Sequence, residues 1–212
     1  MKIYIDLETI PAQDEGKKAY LLENMKPPAN YKSEEAIQKW KDANAEKVLL
    51  NTSFDGTFGQ ICTIGYALGD EPVGTIQRIG EDTDKHIIQR FYDDIHEIEN
   101  PYFIAHNKEF DLRFLWLRTV INQSDNLGVQ IPVDDRYNKY SFCTMKAWAG
   151  FYGKGGSLDS VCRALGIPGK QGMTGADVWS EYQAGHYQKI ADYCADDVEA
   201  VRAIYKRIEF YI

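Results

Sequence analysis

The 212-residue chain has few cysteines, and the four it has (Cys62, Cys143, Cys162 and Cys194) include no CxxC pair. That spacing argues against a structural zinc site. Each cysteine falls in a segment that reads as strand or helix, where a reduced thiol packs as a small hydrophobe. Long apolar runs are missing too, and the N-terminus lacks a basic stretch followed by an apolar signal core. The expectation is a cytoplasmic protein without membrane contact. Positive charge is also in deficit: 24 Lys+Arg stand against 32 Asp+Glu, a formal net charge of −8. This argues against a grip on nucleic acid through bulk positive charge. It leaves open an enzyme whose acidic site holds cations that in turn meet phosphate. There is no internal repeat and no low-complexity tail.

What is present suits a folded domain. The chain is 44% hydrophobic and 13% aromatic, and its length fits one good-sized core better than two. Residues 1–212 are therefore read as a single domain, with the charge-rich segment 11–57 as a helical insertion or a flap over the sheet. Within it, helical patterns around 16–24 and 33–50 are split by "MKPPAN", because paired prolines cannot continue a helix, and Ser33 reads as an N-cap. Residues 3–7 read as the first strand. "QICTIGYAL" and "VGTIQRIG" follow as two strands joined by the turn "GDEP". "DKHIIQRFYDDIHEIE" carries Ile87, Ile88, Phe91, Ile95 and Ile98 at helical spacing. "YFIAHN" reads as a strand, "FDLRFLWLRTVINQS" as a helix and "KYSFCTMKAW" as another strand. "SLDSVCRALG" is a helix capped by Ser157 and stopped at Gly166, and "GADVWSEYQAG" is a short one. An amphipathic helix runs from about His186 to Glu209. Strands interleaved with helices predict an α/β class, a central mixed sheet flanked by helices.

The chemistry is concentrated in carboxylates. In "KIYIDLETI", strand alternation places Asp6 and Glu8 on one face. Two like charges about 4 Å apart repel by roughly 4 kcal/mol at an effective dielectric near 20. Such a pair calls for a cation, a basic partner or a shared proton, and the nearby sequence offers only Lys2. A bound divalent metal is the economical explanation. The alternative is an edge strand with a wet outward face. In "AHNKEFD", Asp111 lies where a helix begins, a place an aspartate also takes as a simple cap. In "YCADDV", Tyr193 and Asp197 are one helical turn apart on a shared face, while Asp192 and Asp196 point toward solvent.

Taken together, D-x-E on the first strand, H-N-x-x-F-D after a mid-chain strand and Y-x-x-x-D on a late helix resemble the DEDD superfamily of 3′–5′ exonucleases. The resemblance spans nearly the whole chain. Asp6, Glu8, Asp111, Tyr193 and Asp197 fill its five site positions, and "SLDSVCRALGIPGK" is similar to the segment before the last motif in stand-alone relatives of the family-B DNA polymerase proofreading domain. The histidine variant of the superfamily has its histidine five residues before the last aspartate, where Asp192 stands here, so Tyr193 matches the tyrosine (DEDDy) subgroup.

The resemblance implies an RNase H-like fold and a hydrolase that releases nucleoside monophosphates from a 3′ end. It implies two Mg²⁺ or Mn²⁺ ions. Asp6 would bridge both, Glu8 and Asp197 would complete one, and Asp111 would support the second. Tyr193 would orient the attacking water, since a phenol with a pKa near 10 is a poor base at pH 7. Single-stranded DNA is the first expectation for substrate and RNA the rival. A chain too short for a polymerase would work alone or beside a separate polymerase or repair protein. A rival of another class is a non-catalytic nucleic-acid-binding module of the same fold. His106 and Asn107 match the family motif and are expected to brace a loop, with Phe110 in the core. Lys170 in "GKQGMTG" is a candidate phosphate contact set against a plain connector. Trp40, Trp116, Trp148 and Trp179 are candidates for base stacking, with Trp116 and Trp179, which sit in helical patterns, expected instead in the core. "GKGGS" lacks the spacing of a phosphate loop.

Overall fold

A computed structural model of the chain describes residues 1–150, 153–168 and 172–211. Strand β1 (Lys2–Ile10) is followed by helices α1 (Glu15–Glu23) and α2 (Glu34–Leu50) and a 3₁₀ turn, Asn51–Phe54. Next come β2 (Gln60–Leu68), β3 (Gly74–Gln77), α3 (Asp84–Ile95), β4 (Tyr102–Ala105) and α4 (Lys108–Asn122). The chain continues through β5 (Ser141–Cys143), α5 (Thr144–Ala149), α6 (Leu158–Leu165), α7 (Val178–Gln183) and α8 (Tyr187–Ile208).

The five strands form one mixed sheet in the order β3-β2-β1-β4-β5. β1 pairs antiparallel with β2, from Ile3 opposite Leu68 to Ile10 opposite Gln60, and parallel with β4. Helices cover both faces, which makes this an α/β sheet of the RNase H-like kind. Ile3, Ile5 and Leu7 of β1 point into a core with Ile87, Ile88 and Phe91 of α3 and Leu112 and Leu115 of α4. Tyr4 points the other way, onto Val198, Val201 and Ile204 of α8 and Val161 of α6. By the two-residue period, Asp6 and Glu8 share the face of Tyr4 and look toward α8.

Three expectations need correction. β1 is the central strand of the five, so an edge strand with a wet face does not explain Asp6 and Glu8. "KYSFCTMKAW" yields a strand only at Ser141–Cys143, and Thr144–Ala149 is helical. β5 can pair only as far as β4 extends, and that register ends with Ala105 opposite Cys143. Beyond it Met145, Lys146 and Ala147 follow their helix propensity. Trp116 is 38% exposed, because α4 turns Asp111, Leu112, Leu115, Arg118 and Thr119 inward and Trp116 falls off that stripe.

Residues 11–57 behave differently from the rest. Neither α1 nor α2 buries a single side chain. The segment is tied to β1 at its end: Thr52 Oγ1 accepts from the Ala12 N–H at 2.8 Å, and Thr9 Oγ1 donates to the Ser53 carbonyl at 2.7 Å.

Candidate active site

β4 accompanies β1 only from Lys2 to Tyr4. At Ala105 the chain leaves the sheet, and Asn107 adopts a left-handed conformation (φ 81°) before α4 begins at Lys108. Asparagine tolerates that region better than most residues. The turn sets the first turn of α4 beside the stretch of β1 that β4 has abandoned. There Asp111 Oδ1 accepts the Leu7 N–H at 3.3 Å. The His106 ring sits between Thr144 Oγ1 and the Gly156 carbonyl, each at 2.9 Å. A carbonyl only accepts, so Nε2 donates, and the ring braces the β4–α4 turn against the segment before α6.

α8 reaches the same place through Gly65, which lies opposite Asp6 in the β1–β2 pair. A Cβ at Gly65 would stand 2.8 Å from Cys194 Sγ and 3.0 Å from Val198 Cγ2. Only glycine permits so close an approach of helix to strand. The Cys194 thiol consequently lies 3.6 Å from Asp6 Oδ2 and 3.5 Å from the Asp6 carbonyl oxygen. Ligand atoms of Asp6, Glu8 and Cys194 all fall within 4.8 Å of one another. Asp197, one turn further along α8, is 3% exposed, and Glu8 and Asp111 are 7% and 3% exposed.

The electrostatics join these groups into one site. Burial pushes the Asp111 carboxyl up to about 8; the Leu7 N–H pulls it down and the nearby Asp197 pushes it further up. Burial also raises the Cys194 thiol, reinforced by Asp6, Glu8 and Asp197. Cys194 is therefore a neutral thiol within the field of three carboxylates. Lys2 does not approach them: its ammonium pairs with Glu209 at 2.5 Å and lies over the Tyr205 ring.

The structure thus gathers Asp6 and Glu8 from β1, Asp111 from α4 and Asp197 from α8. Tyr193 is buried one turn before Asp197, in a cluster with Ile10, Cys62, Met173, Val178 and Ile190. Asp192 and Asp196 are exposed, as their helical positions predict. Cys194 and Gly65 are the residues that sequence reasoning passed over. Cys194 was detectable, standing three residues before Asp197 on the same helical face. Gly65 gave no signal beyond an interior glycine in a strand. Phe110 is half-buried on the core beside Phe114, and Trp179 is half-buried and stacked on Tyr182. Trp40 is half-buried near Tyr31, and Trp148 is exposed. Lys170 lies outside the described residues.

Residues 54–211 match the model of a family described as a predicted 3′–5′ exonuclease related to the exonuclease domain of PolB. No curated protein matches the chain. Among solved structures, the family B DNA polymerase from the hyperthermophilic archaeon Pyrobaculum calidifontis matches with a TM-score of 0.59 at 15% identity. That match covers 98% of this chain but 24% of the polymerase, so the likeness is one of fold with a quarter of a larger protein.

Proposed function

We propose that this chain, which belongs to the family of predicted 3′–5′ exonucleases related to the exonuclease domain of PolB, hydrolyses phosphodiester bonds at the 3′ end of single-stranded DNA and releases nucleoside monophosphates. The observation that carries the reading is the convergence of Asp6, Glu8, Asp111 and Asp197 from three distant stretches of chain. Buried carboxylates this close are costly without cations. Their hard oxygens suit Mg²⁺ or Mn²⁺, and the Asp6 and Glu8 atoms are already within chelating reach of each other.

The four carboxylates would hold the ions. When bound, such ions supply an activated water and neutralise charge on the reacting phosphate. The chain's own residues fix the geometry. The Leu7 N–H orients Asp111, Gly65 sets the depth of α8 over Asp6, and His106 holds the turn from which α4 starts. Tyr193, four residues before Asp197, would orient the attacking water through its hydroxyl, the role implied by the tyrosine subgroup that the sequence resembles. Residues 11–57 would act as a flap at the mouth, consistent with helices that bury nothing and an anchor at the end of β1.

The test is degradation of a 3′-labelled oligonucleotide with Mg²⁺ and with EDTA. Stepwise shortening from the 3′ end with Mg²⁺ alone is expected. DNA and RNA versions run in parallel decide the substrate. Asp6→Ala should stop cleavage while leaving the folded circular-dichroism spectrum intact. Cleavage that survives EDTA, or no cleavage of either polymer, contradicts the reading.

A further inference from the structure

We infer that Cys194 is a positioning residue for the divalent ions of the proposed site, its thiol clamping the Asp6 carboxylate in the orientation from which it receives a cation. The inference deepens the reading above and rests on it. Cys194 lies on α8, three residues before Asp197, and is 0% exposed. Its sulfur stands 3.5 Å from the Asp6 carbonyl oxygen and 3.6 Å from Asp6 Oδ2, ordinary spacings for so large an atom. A carbonyl and a carboxylate only accept, so the S–H donates toward both. The two acceptors belong to one residue. The carbonyl is fixed by its place in β1, so an Oδ2 drawn toward the same proton leaves the side chain little freedom about its torsions. The outer of those torsions is otherwise broad for an aspartate.

The clamp is itself held. Gly65 lies opposite Asp6, and a Cβ there would be 2.8 Å from Cys194 Sγ and 3.2 Å from the Cys194 carbonyl oxygen. Helix and strand are in contact at this point, so the sulfur has no room to withdraw from Asp6. It also stands among the candidate ligand atoms rather than behind them, since those of Asp6, Glu8 and Cys194 fall within 4.8 Å of one another. The chemistry of the donor suits the task. A thiol is a weak donor, so it orients the carboxylate without tying up the lone pairs that a cation needs. Being neutral, it leaves the negative charge uncancelled. A lysine or arginine in its place would satisfy Asp6 and exclude the ion. A carboxylate already oriented loses less freedom when it takes a metal.

The experiment titrates Mn²⁺ into the full chain, follows uptake by electron paramagnetic resonance, and compares wild type with Cys194→Ala, Cys194→Ser and Cys162→Ala. Cys194→Ala should bind Mn²⁺ roughly 10- to 100-fold more weakly, the usual effect of removing a group that holds a metal ligand. Cys194→Ser keeps a donor for both Asp6 oxygens and should recover most of the affinity. Cys162→Ala removes a buried sulfur from the cluster between α6 and α8. It should bind as wild type, whatever it loses in melting temperature. On a 3′-labelled oligonucleotide, Cys194→Ala should need about 10- to 100-fold more Mg²⁺ for half-maximal cleavage, with the rate at saturating Mg²⁺ nearly unchanged. Wild-type Mn²⁺ affinity in Cys194→Ala overturns the inference. So does a Cys194→Ser that binds no better than Cys194→Ala, or a Cys162→Ala that weakens uptake as much. A wild-type protein that takes up no Mn²⁺ overturns it together with the metal reading. Variants that rank as expected in Mn²⁺ uptake, in a protein that cleaves neither DNA nor RNA, defeat the hydrolase reading alone.

Discussion

Asp84 and Asp111 are both nearly inaccessible, at 1% and 3% exposure, and both sit against α4. Yet they live in opposite electrostatic circumstances. Asp84 is met by the Arg118 guanidinium at 2.6 and 3.4 Å and by the Asn122 amide at 3.0 Å. Asp111 accepts the Leu7 N–H, at 3.3 Å, and faces the negative field of Asp197. The protein balances the first charge internally, whereas the second has a like charge beside it, which under the proposed function a bound cation would balance. A buried carboxylate whose counter-charge is built in is architecture; one held close to another carboxylate is prepared for a cation.

The contrast can be tested by removing the built-in partner. Arg118→Met strands Asp84 without its cation and should cost about 3–5 kcal/mol of stability, read as a large fall in denaturant midpoint at unchanged slope. Adding Asp84→Asn to that variant should recover part of the loss. If Arg118→Met proves harmless, Asp84 is not the paired charge that its geometry indicates.

The opposite sign is expected at Asp111. Its carboxyl rises in the folded state from 3.8 to about 8, so the native protein binds more protons than the unfolded one between those values. Stability without divalent ions therefore declines as pH rises from about 4 and stops declining above about 8. Asp111→Asn should abolish cleavage and raise the melting temperature at pH 8 in EDTA, by the equivalent of a few kcal/mol at most. Mn²⁺ should stabilise the wild type more at pH 8 than at pH 5, because binding displaces the extra proton. A melting temperature that falls in Asp111→Asn under EDTA would show that this carboxylate is structural after all.

A wet aspartate completes the series. Asp159 pairs with Arg163 at 2.7 Å on the surface of α6, where the arginine side chain is 77% exposed. Asp159→Asn should leave the melting temperature almost unmoved, since exposed pairs contribute little.

Much of this was legible along the chain, for physical reasons that differ from place to place. The β2 strand and α2, with its Ser33 cap, announce themselves through local rules: a short apolar, β-prone run in "QICTIGYAL" bounded by a turn, and a side-chain oxygen placed to accept from Ala36. The carboxylates were legible because their spacing within strand and helix fixes which face each occupies. What stayed hidden depends on partners far away in sequence. The length of β5 is set by where β4 ends. The exposure of Trp116 is set by which stripe of α4 meets the sheet, and the role of Gly65 by the depth at which α8 docks. The coupling between Asp111 and Leu7 appears only once β4 is seen to leave β1 early.

The most direct measurement is Mn²⁺ binding followed by electron paramagnetic resonance at pH 8, on the wild type and on Asp6→Ala. The account predicts saturable uptake of two ions per chain by the wild type and loss of that uptake in the variant. Equal uptake by both proteins, or none by the wild type, would contradict it.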